Sequence, residues 1–112
     1  MQRLSLAGCL NVRSTALKSI FRSERFAMVN WLDLSATLLC DEGLLELADD
    51  SVLKRLASLS IAGCFNLTAN AVRAFLSSSK INKLEFLDLA RLKVRGQCLN
   101  VLQKMKNLQL KV

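Results

Sequence analysis

Apolar residues recur along this chain in a pattern that repeats about every 28 residues. Pairs of apolar residues separated by one residue begin at positions 4, 32, 59, 87 and 108, at intervals of 28, 27, 28 and 21. The segments Leu4–Val12 and Leu59–Leu67 read LSLAGCLNV and LSIAGCFNL, so nearly the same phrase occurs twice. A fixed period in this range is typical of proteins built from similar units that stack on one another. The sequence therefore predicts consecutive units within a single domain over residues 1–112.

Each unit begins with the pattern of a short strand. We place the units at about residues 1–28, 29–55, 56–83 and 84–104, followed by a final strand in 105–112. Within a unit, positions 1, 4 and 6 are apolar and position 5 is polar, an alternation that predicts a half-buried strand. Positions 4 and 6 hold Leu4 and Leu6, Leu32 and Leu34, Leu59 and Ile61, and Leu87 and Leu89.

The second half of each unit has the spacing of an amphipathic helix. The apolar side is formed by Ala16, Leu17, Ile20 and Phe21 in the first unit and by Ala71, Val72, Phe75 and Leu76 in the third. Asp41 and Glu42 come just before the leucines of the second unit, where the helix dipole favours acids. Ser14 and Thr68 are predicted helix caps. The fourth helix is predicted to be shorter, with apolar residues at Leu99, Leu102 and Met105.

Strand and helix alternating in this way predict an α/β fold. Strand–helix–strand connections between parallel strands are almost always right-handed. Stacked units of this kind form a solenoid. We therefore expect a right-handed solenoid of about four strand–helix repeats of 27–28 residues, with a parallel sheet on the concave face and helices on the convex face.

Charge is unevenly distributed along the chain. The net charge is +7, yet the second unit holds more acids than bases while the other three are basic. A nucleic-acid-binding domain usually presents one basic stripe with aromatic stacking groups, and the second unit interrupts such a stripe. The charge favours acidic partners in general. A basic patch for a phosphate-bearing partner could form near the end of the chain from Arg91, Lys93, Arg95, Lys104, Lys106 and Lys111. A solvated surface is the simpler interpretation.

Targeting signals are weak. No run of 18 apolar residues occurs, so the sequence predicts no transmembrane helix and no membrane partner. Residues 1–25 are rich in Arg and Ser and contain a single acid, Glu24, as mitochondrial presequences do. Because this segment aligns with residues 56–80, we interpret it as a structural repeat. We expect an intracellular protein, in the cytoplasm, with the mitochondrion as the alternative.

The residues that most enzymes and metal sites need are missing. The chain has no His, no Cys-x-x-Cys pair and no glycine-rich phosphate loop, which excludes Ser-His-Asp, Cys-His and His-metal sites. The acid pairs Asp41-Glu42 and Asp49-Asp50 are predicted to be solvated. We predict no enzymatic activity, no catalytic residue, no cofactor and no metal.

The four cysteines are predicted to be free thiols in a reducing compartment. Cys9 and Cys64 occupy position 9 of their units. At about 5 Å per stacked strand they would lie near 10 Å apart, beyond the ~7 Å reach of a disulfide. We predict that both are buried, unbridged and inert, and that Cys98 reacts first.

The pattern Leu-x-x-Leu-x-Leu-x-x-Cys-x-x-(Val/Leu) followed by a helix resembles a leucine-rich repeat along the whole chain. Units of 27–28 residues with Cys at position 9 are similar to the cysteine-containing and ribonuclease-inhibitor-like subfamilies. The run from Cys40 to Leu44, CDEGL, resembles the start of the helix in F-box leucine-rich proteins. Thr37 and Leu92 depart from the pattern, because they stand where the subfamily has Cys.

The resemblance implies a non-catalytic scaffold that binds another protein through the concave face. Side chains at unit positions 3, 5, 7 and 8 are expected to point out of that face. The candidate binding residues are Trp31, Asp33, Phe86, Asp88, Arg3, Ser5, Ser58, Ser60 and Arg91. Trp31 and Phe86, each followed two residues later by an Asp, suit a partner segment in which apolar and basic residues alternate. The competing interpretation is that both rings merely cover the sheet.

Two function hypotheses follow from this resemblance and from the charge. The first is an adaptor or substrate-recognition module such as those of F-box leucine-rich proteins in ubiquitin ligase complexes. The alternative is a structural subunit of a multiprotein or ribonucleoprotein assembly whose basic ends contact RNA. Both ends of the chain fall on core strands without polar caps. We therefore expect a segment of a longer protein, or ends that are covered by end-to-end contacts.

Overall fold

Strands and helices alternate along the chain. The computed structural model describes residues 2–49, 51–92 and 109–111. Within these ranges the strands are β1 (Gln2–Ser5), β2 (Val29–Asp33), β3 (Ser58–Ser60), β4 (Phe86–Asp88) and β5 (Gln109–Lys111). The α-helices are α1 (Ser14–Arg22), α2 (Asp41–Leu47) and α3 (Ala69–Leu76), and short 3-10 helices cover Glu24–Phe26 and Ser79–Lys83.

The strands form one parallel sheet in the order of the chain, β1-β2-β3-β4-β5. Equivalent residues of consecutive units pair with each other, along the row Leu4, Leu32, Leu59, Leu87 and Leu110. Because side chains alternate between the two faces of a strand, this register places the leucines of position 4 on one face. The prediction of an α/β fold, with a parallel sheet alternating with helices, is confirmed.

The core lies between the leucine face of the sheet and the helices. Each α-helix contributes two large buried residues, namely Leu17 and Phe21, Leu44 and Leu47, and Phe75 and Leu76. They belong to the same cluster as the buried leucines of β2, β3 and β4. Helix α1 contacts α2, and α2 contacts α3. Removal of this apolar layer from water is the main contribution that favours folding.

Ion pairs join the first two helices. Arg22 donates hydrogen bonds to Glu46 and, over 3.2 Å, to Asp49, and Lys18 Nζ lies 3.6 Å from Glu42 Oε2. The acids of the second unit therefore face the bases of the first. These pairs are exposed, so each contributes little stability. They do explain why an acidic unit can sit beside a basic one.

The turn after each strand has the same backbone conformation in all four units. Position 8 has a positive φ throughout, 72° at Gly8, 54° at Ala36, 68° at Gly63 and 59° at Arg91. Glycine suits this left-handed region because it has no Cβ. Ala36 and Arg91 adopt it at a cost of about 1 kcal/mol each. The stacking of the units therefore imposes the turn even where glycine is missing.

The prediction that Ser14 caps the first helix is wrong. The N-cap is Arg13, whose side chain makes no capping bond, and Ser14 is the first helical residue. Ser14 Oγ instead lies 2.9 Å from Cys40 Sγ, at the start of α2. Thr68 caps α3 as predicted, since its Oγ1 accepts from the backbone N of Ala71 at 3.2 Å. Arg13 and Thr68 both occupy unit position 13, so the repeat places the cap one residue before Ser14.

The prediction that Cys9 is buried is also wrong. Cys9 is half-buried, whereas Cys64 is fully buried, and both are free thiols as predicted. Cys9 follows β1, an edge strand with a neighbour on one side only. Cys64 follows β3, which has β2 and β4 on its two sides. The predictions on Cys98 and on the helix with Leu99, Leu102 and Met105 fall outside the described residues.

Candidate functional site

Two rows of side chains cross the face of the sheet that is turned away from the helices. The strand register aligns position 3 of each unit in one row, Arg3, Trp31, Ser58, Phe86 and Gln109. It aligns position 5 in a second row, Ser5, Asp33, Ser60, Asp88 and Lys111. Eight of the nine candidate residues are therefore neighbours on one surface, and the ninth, Arg91, follows β4 in the next turn.

The two aromatic rings and two carboxylates open onto one cavity of about 180 Å³. Trp31, Asp33, Phe86, Asp88 and Arg91 all line it. Both rings are half-buried, while the leucines beside them in the strands, on the other face, are fully buried. The rings are thus partly covered by their surroundings on the sheet and still accessible. Ser60 also lines the cavity, whereas Arg3, Ser5 and Ser58 lie outside its wall.

Arg3 stacks against Trp31. The guanidinium carbon of Arg3 lies 5.5 Å from the centre of the Trp31 ring, within the range of a cation–π contact. Such a contact at an exposed site is worth ~0.5–1 kcal/mol. Arg3 therefore restricts the indole on the β1 side while the ring lines the cavity towards β3. The contact therefore reduces the rotational freedom of the Trp31 ring.

Four of the five residues at position 5, those of β1 to β4, accept a hydrogen bond from the turn that follows their strand. Asp33 Oδ1 accepts from the backbone N of Ser35 at 2.9 Å, and Asp88 Oδ1 accepts from that of Ala90 at 3.0 Å. Ser5 and Ser60 accept the equivalent bonds at 3.4 and 3.5 Å.

Serine therefore makes the same turn bond as aspartate, at a longer distance and more weakly. The turn alone does not require a carboxylate in the second and fourth units. Ser60 Oγ donates to Asp88 Oδ2 at 3.4 Å, and no ion pair within the described ranges engages Asp33 or Asp88. Two negative charges consequently remain beside the aromatic rings, facing the cavity that Arg91 also lines.

Arg91 changes the shape of the face at one end. Its Nε and Nη2 atoms lie 3.8 Å from the place where a Cβ on Gly63 would be. Ala62 and Gly63, at positions 7 and 8 of the third unit, are both buried. The long side chain of Arg91 from the next unit reaches back over this turn and covers it.

The structure adds no metal or membrane feature to this face. Within residues 2–49, 51–92 and 109–111, no group of three or more His, Cys, Asp or Glu is placed to hold a metal ion. No helix in these ranges has the length and apolarity needed to cross a bilayer. Asp49, one of the predicted solvated acids, is exposed, and its pKa is lowered by hydrogen bonds from the backbone and side chain of Ser51 and by Arg22.

Two features escaped the sequence analysis. Lys80 is fully buried, although its unit counterpart Arg25 is exposed. Leu10 and Phe65, which share unit position 10, are 62% and 81% exposed. Because both stand at the same unit position and outside the apolar pattern of the core, their exposure could have been predicted from the sequence. Most of the predicted basic patch, Lys93, Arg95, Lys104 and Lys106, lies outside the described residues.

No model of a protein family matches the chain, and no curated protein matches it either. A function is therefore inferred from the geometry of the chain's own residues.

Proposed function

We propose that this chain is a leucine-rich repeat module that binds another protein through the exposed face of its sheet. The repeat assignment is supported by three units of 27–28 residues whose strands pair in the register of the repeat and by turns that share one conformation. On this proposal the units form a right-handed solenoid with the sheet on the concave side. The module has no catalytic role and no cofactor.

The observation that supports binding most strongly is the cavity between Trp31 and Phe86. The two rings stand two strands apart, about 10 Å, and each has a carboxylate on the same face. Aromatic side chains that are accessible, restricted and surrounded by polar groups are the usual centres of binding energy at interfaces. A solvated sheet face would not need aromatic rings and unpaired acids at matching positions.

The partner chemistry follows from these four side chains. Apolar groups of the partner would fill the space between the rings, and basic groups would pair with Asp33 and Asp88. An extended segment crossing the strands, with apolar and basic residues in alternation, meets both needs. In an intracellular adaptor, such a segment would belong to the protein that is recruited.

The RNA-binding alternative finds less support on this face. Carboxylates line the cavity where phosphates would have to approach, and phosphate contacts dominate nucleic-acid affinity. Of the two basic ends that this alternative would use, the second lies mostly beyond Leu92, outside the described residues. At the first end, Lys18 and Arg22 pair with acids of the second unit. We therefore keep protein binding as the proposed function.

A displayed library of random extended peptides tests the proposal on the whole chain. Peptides selected by the protein should alternate apolar and basic residues. Trp31→Ala should weaken their binding by about 2 kcal/mol or more, the size of a hot spot, because it removes one wall of the cavity.

Thermal unfolding of the same variant separates binding from folding. The melting temperature should stay nearly unchanged, since the ring lies on the face away from the core. If Trp31 covered the core instead, the variant would lose ~3 kcal/mol of stability, and binding would fall only because folding does. Asp33→Asn serves as a second variant that keeps the turn and removes the charge.

A further inference from the structure

The cavity on the sheet face exists because one strand carries small side chains there. Along β3 and just beyond it, the residues on this face are Ser58, Ser60 and Ala62. The strands on either side, β2 and β4, each carry an aromatic ring at unit position 3 and a carboxylate at position 5. The space above β3 is therefore bounded on both sides by a ring and a carboxylate, and its volume is about 180 Å³.

The two rings stand at a distance that suits one cation between them. Trp31 and Phe86 both pair with Ser58, from opposite sides, so their backbone positions are ~10 Å apart. Side chains stand roughly perpendicular to a sheet, and a group midway between these two lies about 5 Å from each. A cation within ~6 Å of an aromatic face is attracted by its π electrons. One positive group can therefore contact both rings at once.

Arg3 shows which side of the indole borders the cavity. Its guanidinium carbon lies over the Trp31 ring, 5.5 Å from the centre. Arg3 belongs to β1, which lies on the far side of β2 from β3. The opposite face of the indole is therefore turned towards the cavity. A cation–π contact needs the face of a ring, and this is the side that Trp31 presents to a ligand.

The charged lining of the cavity carries one net negative charge. It consists of two carboxylates and one guanidinium, those of Asp33, Asp88 and Arg91. None of the three forms an ion pair within the described ranges. Arg91 reaches over the turn at Gly63, five unit positions beyond the rings, so the aromatic end of the cavity is left to the carboxylates. A ligand with a single positive charge at that end balances the lining.

Hydrogen bonds that the carboxylates already make favour one kind of cation. Asp33 Oδ1 accepts from the backbone N of Ser35. Both oxygens of Asp88 are engaged, since Oδ1 accepts from the backbone N of Ala90 and Oδ2 from Ser60 Oγ. These bonds fix the positions of the carboxylates and leave their charge in place.

A primary ammonium group fits this environment less well than a methylated one. It brings three N–H donors, which would lose water on entering the cavity and would meet aromatic rings in place of acceptors. A trimethylated ammonium group keeps the positive charge and has no N–H to satisfy. Its methyl groups contact the rings, while the fixed carboxylates act on its charge.

We propose that the cavity binds a methylated lysine side chain of the partner segment, with trimethyllysine as the best fit. The methyl groups fill the space between Trp31 and Phe86, and the charge is balanced by Asp33 and Asp88. One side chain thereby supplies both the apolar contact and the positive charge that this face requires. The proposal rests on the proposed function, since it specifies the basic residue that the sheet face recognises.

Three peptides test the proposal on the whole chain. They share the sequence Ser-Val-Ser-Xaa-Ser-Val-Ser, in which Xaa is trimethyllysine, lysine, or the neutral analogue with carbon in place of the quaternary nitrogen. The trimethyllysine peptide should bind at least about 10-fold more tightly than the neutral one, because the two side chains share one shape and differ in charge alone. It should bind at least about 5-fold more tightly than the lysine peptide. Amide-shift changes should centre on residues 31–35, 58–62 and 86–91.

The ratio between the trimethyllysine and neutral affinities locates the site in variants of the protein. Loss of folded protein lowers both affinities equally and leaves this ratio unchanged. Trp31→Leu should reduce the ratio to below about 3, because it keeps an apolar wall and removes the π electrons. Asp33→Asn, which keeps an acceptor for the turn, should reduce it by about 3-fold.

A charge variant should strengthen binding, which a damaged fold cannot do. Arg91→Gln removes the like charge from the wall and should tighten the trimethyllysine peptide by about 3-fold, with no change for the neutral one. Lys54→Gln is the matched control. It removes an exposed positive charge that does not line this cavity, and the affinity of both peptides should stay as it was.

Failure of this proposal and failure of the proposed function give different results. Library peptides that depend on Trp31 but bind no better after methylation of their lysines would overturn the methyllysine proposal and leave protein binding in place. Equal affinity for the trimethyllysine and neutral peptides would overturn it as well. If neither the library peptides nor the trimethyllysine peptide bound, both proposals would fall. Choline or phosphatidylcholine vesicles that bound more tightly than the peptide would assign the cavity to a choline ligand instead of a protein.

Discussion

The first and third units contain nearly the same phrase, at residues 4–12 and 59–67, and are buried to different extents. Leu59 and Cys64 of the third unit are fully buried, whereas their counterparts Leu4 and Cys9 are half-buried. Among the described strands, β3 lies between β2 and β4, while β1 pairs with β2 on one side. The repeat phrase therefore specifies the conformation of the unit, and the neighbours decide its burial.

The helices of the two units also differ in burial, and α3 of the third unit is more deeply buried than α1 of the first. Ala71 in α3 is buried, but the equivalent Ala16 in α1 is exposed, although both were predicted on the apolar side. Phe75 is fully buried and its counterpart Ile20 half-buried. Part of the apolar side of a helix in this fold faces the next unit, so it is covered only where a unit stands on each side.

The central position also provides hydrogen bonds that the edge lacks. Cys64 Sγ donates to Leu34 O at 3.0 Å and lies 3.6 Å from Thr37 Oγ1. Thr37 Oγ1 in turn donates to Leu34 O at 2.7 Å. Cys64 at unit position 9 thus joins its turn to the turn before it, a hydrogen bond that Cys9 does not make among the described residues.

Truncation of the equivalent leucines gives the largest expected difference between the two units. Leu59→Ala should lower the free energy of unfolding by about 3 kcal/mol, because it opens a cavity in a fully packed layer. Leu4→Ala should cost about 1 kcal/mol, since a half-buried side chain loses less contact and leaves no closed cavity. Urea unfolding of both variants measures this difference. Equal losses would mean that β1 is covered in solution.

The buried lysine should give the next largest effect. Lys80 Nζ donates hydrogen bonds to three backbone carbonyls, those of Asp49, Val52 and Leu53, so it ties the turn after α2 to the third unit. Lys80→Met should lower the free energy of unfolding by about 2 kcal/mol, because buried carbonyl groups lose their donor. Arg25→Met, at the exposed counterpart in the first unit, should change it by less than about 0.5 kcal/mol. If Lys80→Met left the free energy of unfolding unchanged, water would be shown to replace the ammonium group as the donor to these carbonyls.

Most of the fold could be predicted from the sequence because the repeat fixes several features at once. The alternation of apolar and polar residues at Leu32 and Leu34 predicted the strand. The same apolar spacing at unit positions 4 and 6 of every unit predicted the register of the sheet. The Thr68 cap followed from local chemistry. The Ser14 prediction failed because the cap position of the unit, position 13, is held by Arg13, whose side chain makes no capping bond, while Ser14 is already the first helical residue.

The candidate site was predicted in part for the same reason. The rows that contain Trp31 and Asp33 follow from the register, which a sequence with repeats reveals. The reach of Arg91 over Gly63 did not follow, because the direction of a long side chain depends on contacts with another unit. The burial of Lys80 could not be predicted either. The three carbonyls that accept from its ammonium group belong to the backbone, which is the same for every residue type.

The smallest expected effect concerns the pH dependence of stability. Burial raises the pKa of the Cys64 thiol above its ordinary value of 9.0. A raised pKa in the folded state means that the thiol contributes stability that is fully present below about pH 9 and is lost as the pH rises through the folded value. Burial acts in the same direction on Cys40, but hydrogen bonds from Ser14 and from backbone N–H groups outweigh it and lower the pKa of that thiol.

The two thiols therefore act on stability with opposite signs, and the measurement needs a Cys40→Ala background. In that background, the free energy of unfolding should fall between pH 8 and about 10, and adding Cys64→Ala should flatten the curve. Arg25→Met in the same background serves as the control for an unrelated substitution. A slope that survives Cys64→Ala would show that the central thiol is not the group that titrates, and the contrast between the two equivalent cysteines would then be one of burial alone.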